Sequence, residues 1–75
     1  LLVVRYDPAK SANIGKALRI LPKHRIKSRT MTRSGAEITV EVSLRDDEMT
    51  TIDKFLSVDG VMDASLVSYE GEFGL

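Results

Sequence analysis

Polar and apolar residues alternate with a strict period of two from Glu37 to Leu44 (Glu-Ile-Thr-Val-Glu-Val-Ser-Leu). Such alternation predicts a strand with one face on a core and the other in water. The stretch Arg25–Arg33 also alternates, but there basic residues alternate with small ones. The span 25–44 therefore predicts one β-hairpin. Charge suggests its register. With Arg33 opposite Glu37, Arg29 meets Glu41 on the solvent side, while Ile26, Ser28, Thr30 and Thr32 meet Leu44, Val42, Val40 and Ile38 on the other. Each facing pair of opposite charges contributes roughly 0.2–1 kcal/mol. A slip of one residue sets Arg29 against Val40 and Lys27 against Val42, which is worse on both faces. The expected loop is then Ser34-Gly35-Ala36.

The flanks each read as one helix and one strand. Leu1–Tyr6 is a nearly continuous apolar run, the pattern of a strand buried on both faces. Asp7-Pro8 mark a helix start, with Asp7 as cap and Pro8 at the first helical position. Ile14, Ala17, Leu18 and Leu21 form one apolar stripe. Gly15 lies inside it at a cost of up to ~1 kcal/mol relative to alanine, which suggests a close approach to the sheet, and Pro22 closes the helix. After the hairpin, Asp46-Asp47-Glu48 place acid at a helix start, where the dipole favours it. Met49, Ile52, Phe55 and Leu56 make the second apolar stripe, Asp59-Gly60 end it, and a last strand is expected from Val61 to Tyr69. Residues 70–75, with two glycines, read as a loose tail or an added edge.

The order strand, helix, strand, strand, helix, strand predicts a single α+β domain over residues 1–75. Its fold class is the ferredoxin-like (ACT-like) βαββαβ sandwich, a four-stranded antiparallel sheet with two helices on one face. The first and third strands are expected at its centre and the basic second strand at an edge, where lysine and arginine discourage pairing with another chain.

Composition narrows the chemistry. The chain has 75 residues, no cysteine, one histidine (His24) and equal numbers of basic and acidic residues. Disulfide frameworks, thiol chemistry and histidine-rich metal sites are thereby excluded. No apolar run reaches the ~20 residues that cross a bilayer as a helix. The zero net charge hides a division: residues 1–35 hold nine Lys/Arg and one Asp, and residues 36–75 hold two Lys/Arg and ten Asp/Glu, giving +8 and −8. The plainest account is that the halves lie side by side and neutralise one another. The alternative is a polyanion-binding surface made by Arg25, Lys27, Arg29 and Arg33.

The fold has several uses, and function must be argued from a site. Metal chaperones of this topology need a cysteine pair in the first loop. RNA-recognition domains need aromatic residues on the central strands, where this chain has Ile38, Val40 and Val42 beside Glu37 and Glu41, so nucleic acid is disfavoured. Acyl-phosphate hydrolysis needs an anion-cradling loop after the first strand, where Asp7-Pro8 offer a carboxylate and a missing N–H. Asp7 and Asn13 are the candidate ligand-binding residues, though Asp7 reads first as a helix cap. No carboxylate pair and no nucleophile with a base stand at catalytic spacing. The chain is therefore expected not to be an enzyme and to use no metal or cofactor.

A resemblance rests on Arg25-Ile26-Lys27-Ser28-Arg29, Leu44-Arg45-Asp46-Asp47, Asp59-Gly60-Val61 and the ending Leu66-Val67-Ser68-Tyr69-Glu70-Gly71-Glu72-Phe73. Over about its last 50 residues, the chain resembles the C-terminal ACT-like domain of a family of prokaryotic multi-pass membrane proteins of unknown function. Some members of that family are encoded near polyphosphate-polymerase-like proteins. The resemblance implies a soluble domain cut from a longer chain, at the cytoplasmic face of the cell membrane, with the membrane portion of its own chain as a partner. The start at Leu1 rather than Met agrees with that expectation. It supplies no site residues. Together these readings predict a non-catalytic regulatory or self-association domain, a homodimer compatible with a small-molecule ligand.

Overall fold

The computed structural model describes residues 1–43 and 48–67. In chain order these form β1 (Leu2–Tyr6), a 3₁₀ turn (Pro8–Lys10), α1 (Ser11–Arg19), β2 (His24–Thr32), β3 (Gly35–Val42), α2 (Glu48–Leu56) and β4 (Val61–Leu66). The strands make one antiparallel sheet in the order β2-β3-β1-β4. With two helices, this is the α+β, ferredoxin-like arrangement that the element order predicts.

The core follows from the two periodicities. Leu2, Val4 and Tyr6 of β1 and Ala36, Ile38 and Val40 of β3 all point to one face of the sheet. There they are buried with Ile14, Ala17 and Leu18 of α1 and Phe55 of α2. The expectation that β1 is buried on both faces is not met. Val3 is half-buried and Arg5 exposed, because no layer among the described residues covers the second face. Strand order meets expectation, with β1 and β3 central and basic β2 exposed along its whole length at an edge.

The hairpin forms, but in another register. Thr32 stands opposite Gly35, so the turn is the pair Arg33-Ser34 and not Ser34-Gly35-Ala36. The Thr32 hydroxyl closes this turn by donating to the Gly35 carbonyl (2.9 Å). A two-residue connection is the commonest in hairpins, and here it outweighs the charge pairs that a longer loop would align. Gly35 suits the corner because the Met62 side chain packs over it, leaving 2.6 Å between Met62 Cε and any added Cβ. A register shift between Ile26 and Ser28 then makes Lys27 the extra residue of a bulge. As a result Arg25, not Arg29, faces Glu41, and Arg29 faces Ile38. Arg33 lies in the turn and faces no strand residue.

Helix details differ from the pattern for physical reasons. Asp7 caps the 3₁₀ turn rather than α1 directly, its carboxylate accepting from the Ala9 N–H (3.0 Å), with Pro8 at the first position. On α2, Thr51 joins Phe55 in the core while Met49 stays exposed, since residues four apart share a face. Gly15 does not serve a close approach: a Cβ there would meet nothing within 4 Å. Gly15→Ala should therefore stabilise the fold by about 0.5–1 kcal/mol, through backbone entropy alone. A rise in urea midpoint at unchanged slope is the expected readout, and a fall would show that Gly15 has a packing role.

Among the described residues no helix is long and apolar enough to cross a membrane. The pairing of Leu44, the acids Asp46 and Asp47, the extension of the last strand to Tyr69 and the tail 70–75 lie outside the described residues.

Candidate functional site

The two candidate ligand residues, Asp7 and Asn13, take part in a clasp between the loop after β1 and the turn before β4. The Asp7 backbone N–H donates to the Gly60 carbonyl (2.8 Å). The Asn13 side-chain amide donates to the Asp59 carbonyl (3.1 Å). Lys10 lays its aliphatic stem over Gly60 and pairs its ammonium with the Asp59 carboxylate (2.8 Å). That hydrogen bond and the negative charge of Asp59 hold the Lys10 ammonium above its ordinary pKa. Gly60 makes the clasp possible, with a φ of +102°. The Asp7 carboxylate is engaged as a cap and the Asn13 amide as a tether, so this loop is first of all structural. Asp7 also lines an open groove of about 520 Å³ with Arg33, Ser34, Gly60 and Met62, which brings together two residues that the sequence places apart. Asn13 lines a separate groove of about 410 Å³ between the helices.

The four candidate polyanion-binding residues lie along β2 and its turn, but not on one face. Arg25 points to the open face, where it reaches Glu41 (3.3 Å). Lys27 occupies the bulge, and Arg29 points to the helix side of the sheet, opposite Ile38. Arg33 stands in the turn. Among the described residues, Arg29 and Arg33 form no ion pair. The side-by-side neutralisation of the two halves is visible in part. Arg5–Asp63 (2.7 Å), Lys10–Asp59 and Arg25–Glu41 each join the basic first half to the acidic second. Asp63 raises the pKa of the Arg5 guanidinium through a hydrogen bond first and its charge second. These pairs are solvent-exposed and screened.

The opposite edge of the sheet has another character. β4 carries a single charged residue, Asp63, and that carboxylate is held on the open face by Arg5. Ala64 and Leu66 point to the helix side with their β1 partners Val4 and Leu2. Above them lies α2, and it presents Met49 (69% exposed) and Leu56 (48% exposed) outward. The grooves between α1 and α2 are lined by Thr50, Thr51, Lys54, Phe55 and Val58. Met49, Ile52 and Leu56, at i, i+3 and i+7, therefore form the other flank of α2, the one over β4. Exposed Met62 and Val67 lie at the two ends of the same edge. The sequence pattern predicts Met49, Ile52, Phe55 and Leu56 as one inward stripe, but only Phe55 of the four is fully buried. The available signal was that Thr51, Phe55 and Val58 form a second stripe beside Met49, Ile52 and Leu56, and only one stripe can face the sheet.

Among the described residues no group of three His, Asp or Glu side chains could hold a metal ion. No protein-family model, curated protein or solved structure matches the chain.

Proposed function

We propose that this chain is a self-association domain, that a second copy covers the β4–α2 side, and that this association regulates or tethers a larger protein. The observation that carries the reading is the contrast between the two sheet edges. β2 presents Arg25, Lys27 and Arg29 and a bulge, the devices that keep an edge from pairing. β4 presents nearly uncharged backbone beside the exposed methionine and leucine of α2. A domain of this size buries only about 60% of its unfolded surface, so covering that flank stabilises it further. The resemblance in sequence to C-terminal domains of multi-pass membrane proteins supports the membrane portion of its own chain, at the cytoplasmic face, as what is regulated. The groove of Asp7 and Arg33 is open to a small ligand beside the start of β4.

Light scattering tests this directly. The expected mass is close to twice the chain's 8.3 kDa, at both low and high salt. Met49→Lys with Leu56→Lys should return the monomer, because both positions are exposed and neither supports the core. A wild-type monomer at all concentrations overturns the reading.

A second reading is favoured by Arg29 and Arg33, which form no ion pair among the described residues: β2 as an electrostatic docking edge for polyphosphate or anionic lipid. Its expected result is a gain in mass with polyphosphate at low salt, lost at high salt and abolished by Arg29→Glu with Arg33→Glu. That variant should leave the β4–α2 dimer intact.

A further inference from the structure

The self-association just proposed can be taken to a defined mode of pairing, on which the reading of the whole chain does not depend. Hydrogen-bonding directions along β4 are set by its inner neighbour. The Val67 N–H donates to the Leu1 carbonyl (2.7 Å). Val3 faces Ser65 and Arg5 faces Asp63 across the same ladder. In an antiparallel pair, residues directly opposite alternate between exchanging both backbone bonds and exchanging none. Val67, Ser65 and Asp63 therefore spend their backbone groups on β1, while Ala64 and Leu66 turn N–H and C=O to the free edge. Among the described residues nothing receives them.

We infer that β4 pairs antiparallel with β4 of a second copy across a two-fold axis through Ala64, joining the two sheets into one. Three observations select this register. Facing residues of a two-fold strand pair lie on the same face of the sheet, so the axis passes through a residue, and Asp63, Ala64 and Ser65 are the residues that centre it on β4 and the Val67 beside it. An axis at Asp63 sets two carboxylates face to face, which is destabilising. An axis at Ser65 leaves Asp63 opposite Val67 and shortens the ladder. With the axis at Ala64, Asp63 faces the second copy's Ser65, a hydroxyl that can donate to it, while Arg5 still holds the other side of the carboxylate. Sheet faces also match, since Asp63 and Ser65 share the open face and Ala64 the helix face. The same two-fold brings Met49 and Leu56 of both copies toward each other above the new seam, where their exposed side chains bury one another. An isologous contact of this kind closes on itself and stops at two copies, whereas the cationic, bulged β2 edge cannot extend the sheet further.

The chain has no native cysteine, so single cysteines report the register cleanly. Across the axis the Ala64 Cα atoms stand about 5.5 Å apart, inside the disulfide range of about 4.4–6.8 Å. Ala64→Cys should cross-link to a dimer for most of the protein under mild oxidation, and Ser65→Cys alone should not, its diagonal mate being about 7–8 Å away. As a second measurement that leaves the helix face untouched, Asp63→Cys chains mixed with Ser65→Cys chains should cross-link to each other. Cross-linking of Ser65→Cys alone with none in the mixture moves the axis and overturns this register. No cross-link in any variant, with a dimer still seen by light scattering, overturns strand pairing while self-association stands. A monomer by light scattering overturns both.

Discussion

Phe55→Ala should cost about 3–5 kcal/mol, the range for emptying the site of a buried aromatic side chain. Phe55 is 1% exposed and is the largest of the fully buried side chains. It is also the hydrophobic residue by which α2 enters the core, since the other nine buried apolar residues among those described come from β1, α1 and β3. No neighbour on α2 can fill the void. Thr51, its only companion among the described buried residues of that helix, is shorter and polar. For a chain of this length the whole stability is roughly 4–11 kcal/mol, so the loss consumes a large part of it. With a urea slope of about 1 kcal/mol per molar for so small a domain, the midpoint should fall by about 3 M or more. Hydrogen exchange should show the loss first across residues 48–56, before the β1–β3 ladder opens. Phe55→Leu should lose less, because it retains most of the buried volume. If Phe55→Ala shifts stability by under about 1 kcal/mol, α2 is not anchored as described, and the apolar flank built on it falls too.

How much of this was legible beforehand depends on whether a feature is local. The alternation of Glu37 to Val42 and the stripe of Ile14, Ala17, Leu18 and Leu21 are local, and both elements formed, with Ile38, Val40, Ile14, Ala17 and Leu18 buried and Val42 and Leu21 partly so. The order of the strands follows from the order of elements and was legible too. Register was not. It turned on whether the strand ends at Arg33 before a three-residue loop or at Thr32 before a two-residue turn, and the hydroxyl bond of Thr32 to Gly35 that closes the turn carries no distinctive sequence signal. A loop one residue shorter that also begins one residue earlier, followed by the bulge at Lys27, placed Arg25 rather than Arg29 on Glu41. The candidate site shows the same divide. Asp7 was legible as a cap because the signal is Asp-Pro itself. The clasp of Asp7, Lys10 and Asn13 on Asp59-Gly60 joins residues more than 45 positions apart, with Asn13 and Asp59 separated by 46, and no pattern in one sequence announces it. The apolar edge stayed hidden for a third reason. Met49 and Leu56 look like core until the sheet shows how much of α2 it can cover.

Gly60→Ala should be strongly destabilising, for two separable reasons. At a φ of +102° an L residue pays for a left-handed backbone, about 1–2 kcal/mol. The new methyl also has no room. It would lie 2.6 Å from Lys10 Cγ and closer still to Lys10 Cβ, and the Cβ cannot swing aside as a flexible chain end could. Forcing such a contact costs a further 1–3 kcal/mol or so. The displacement would reach the three links that hold the first loop. The Asp7 N–H bonds the carbonyl of Gly60 itself, and Asn13 and Lys10 both bond Asp59 beside it. Equilibrium unfolding in urea should therefore show a loss of roughly 2–5 kcal/mol. A double-mutant cycle with Lys10→Gly then separates the causes. Removing the Lys10 Cβ should relieve the clash, so the double variant should lose clearly less than the sum of the two singles. What remains after that rescue measures the backbone cost at residue 60. Strict additivity would mean that Lys10 does not pack on Gly60, and a Gly60→Ala loss below about 0.5 kcal/mol would mean that the turn before β4 is not held in this conformation.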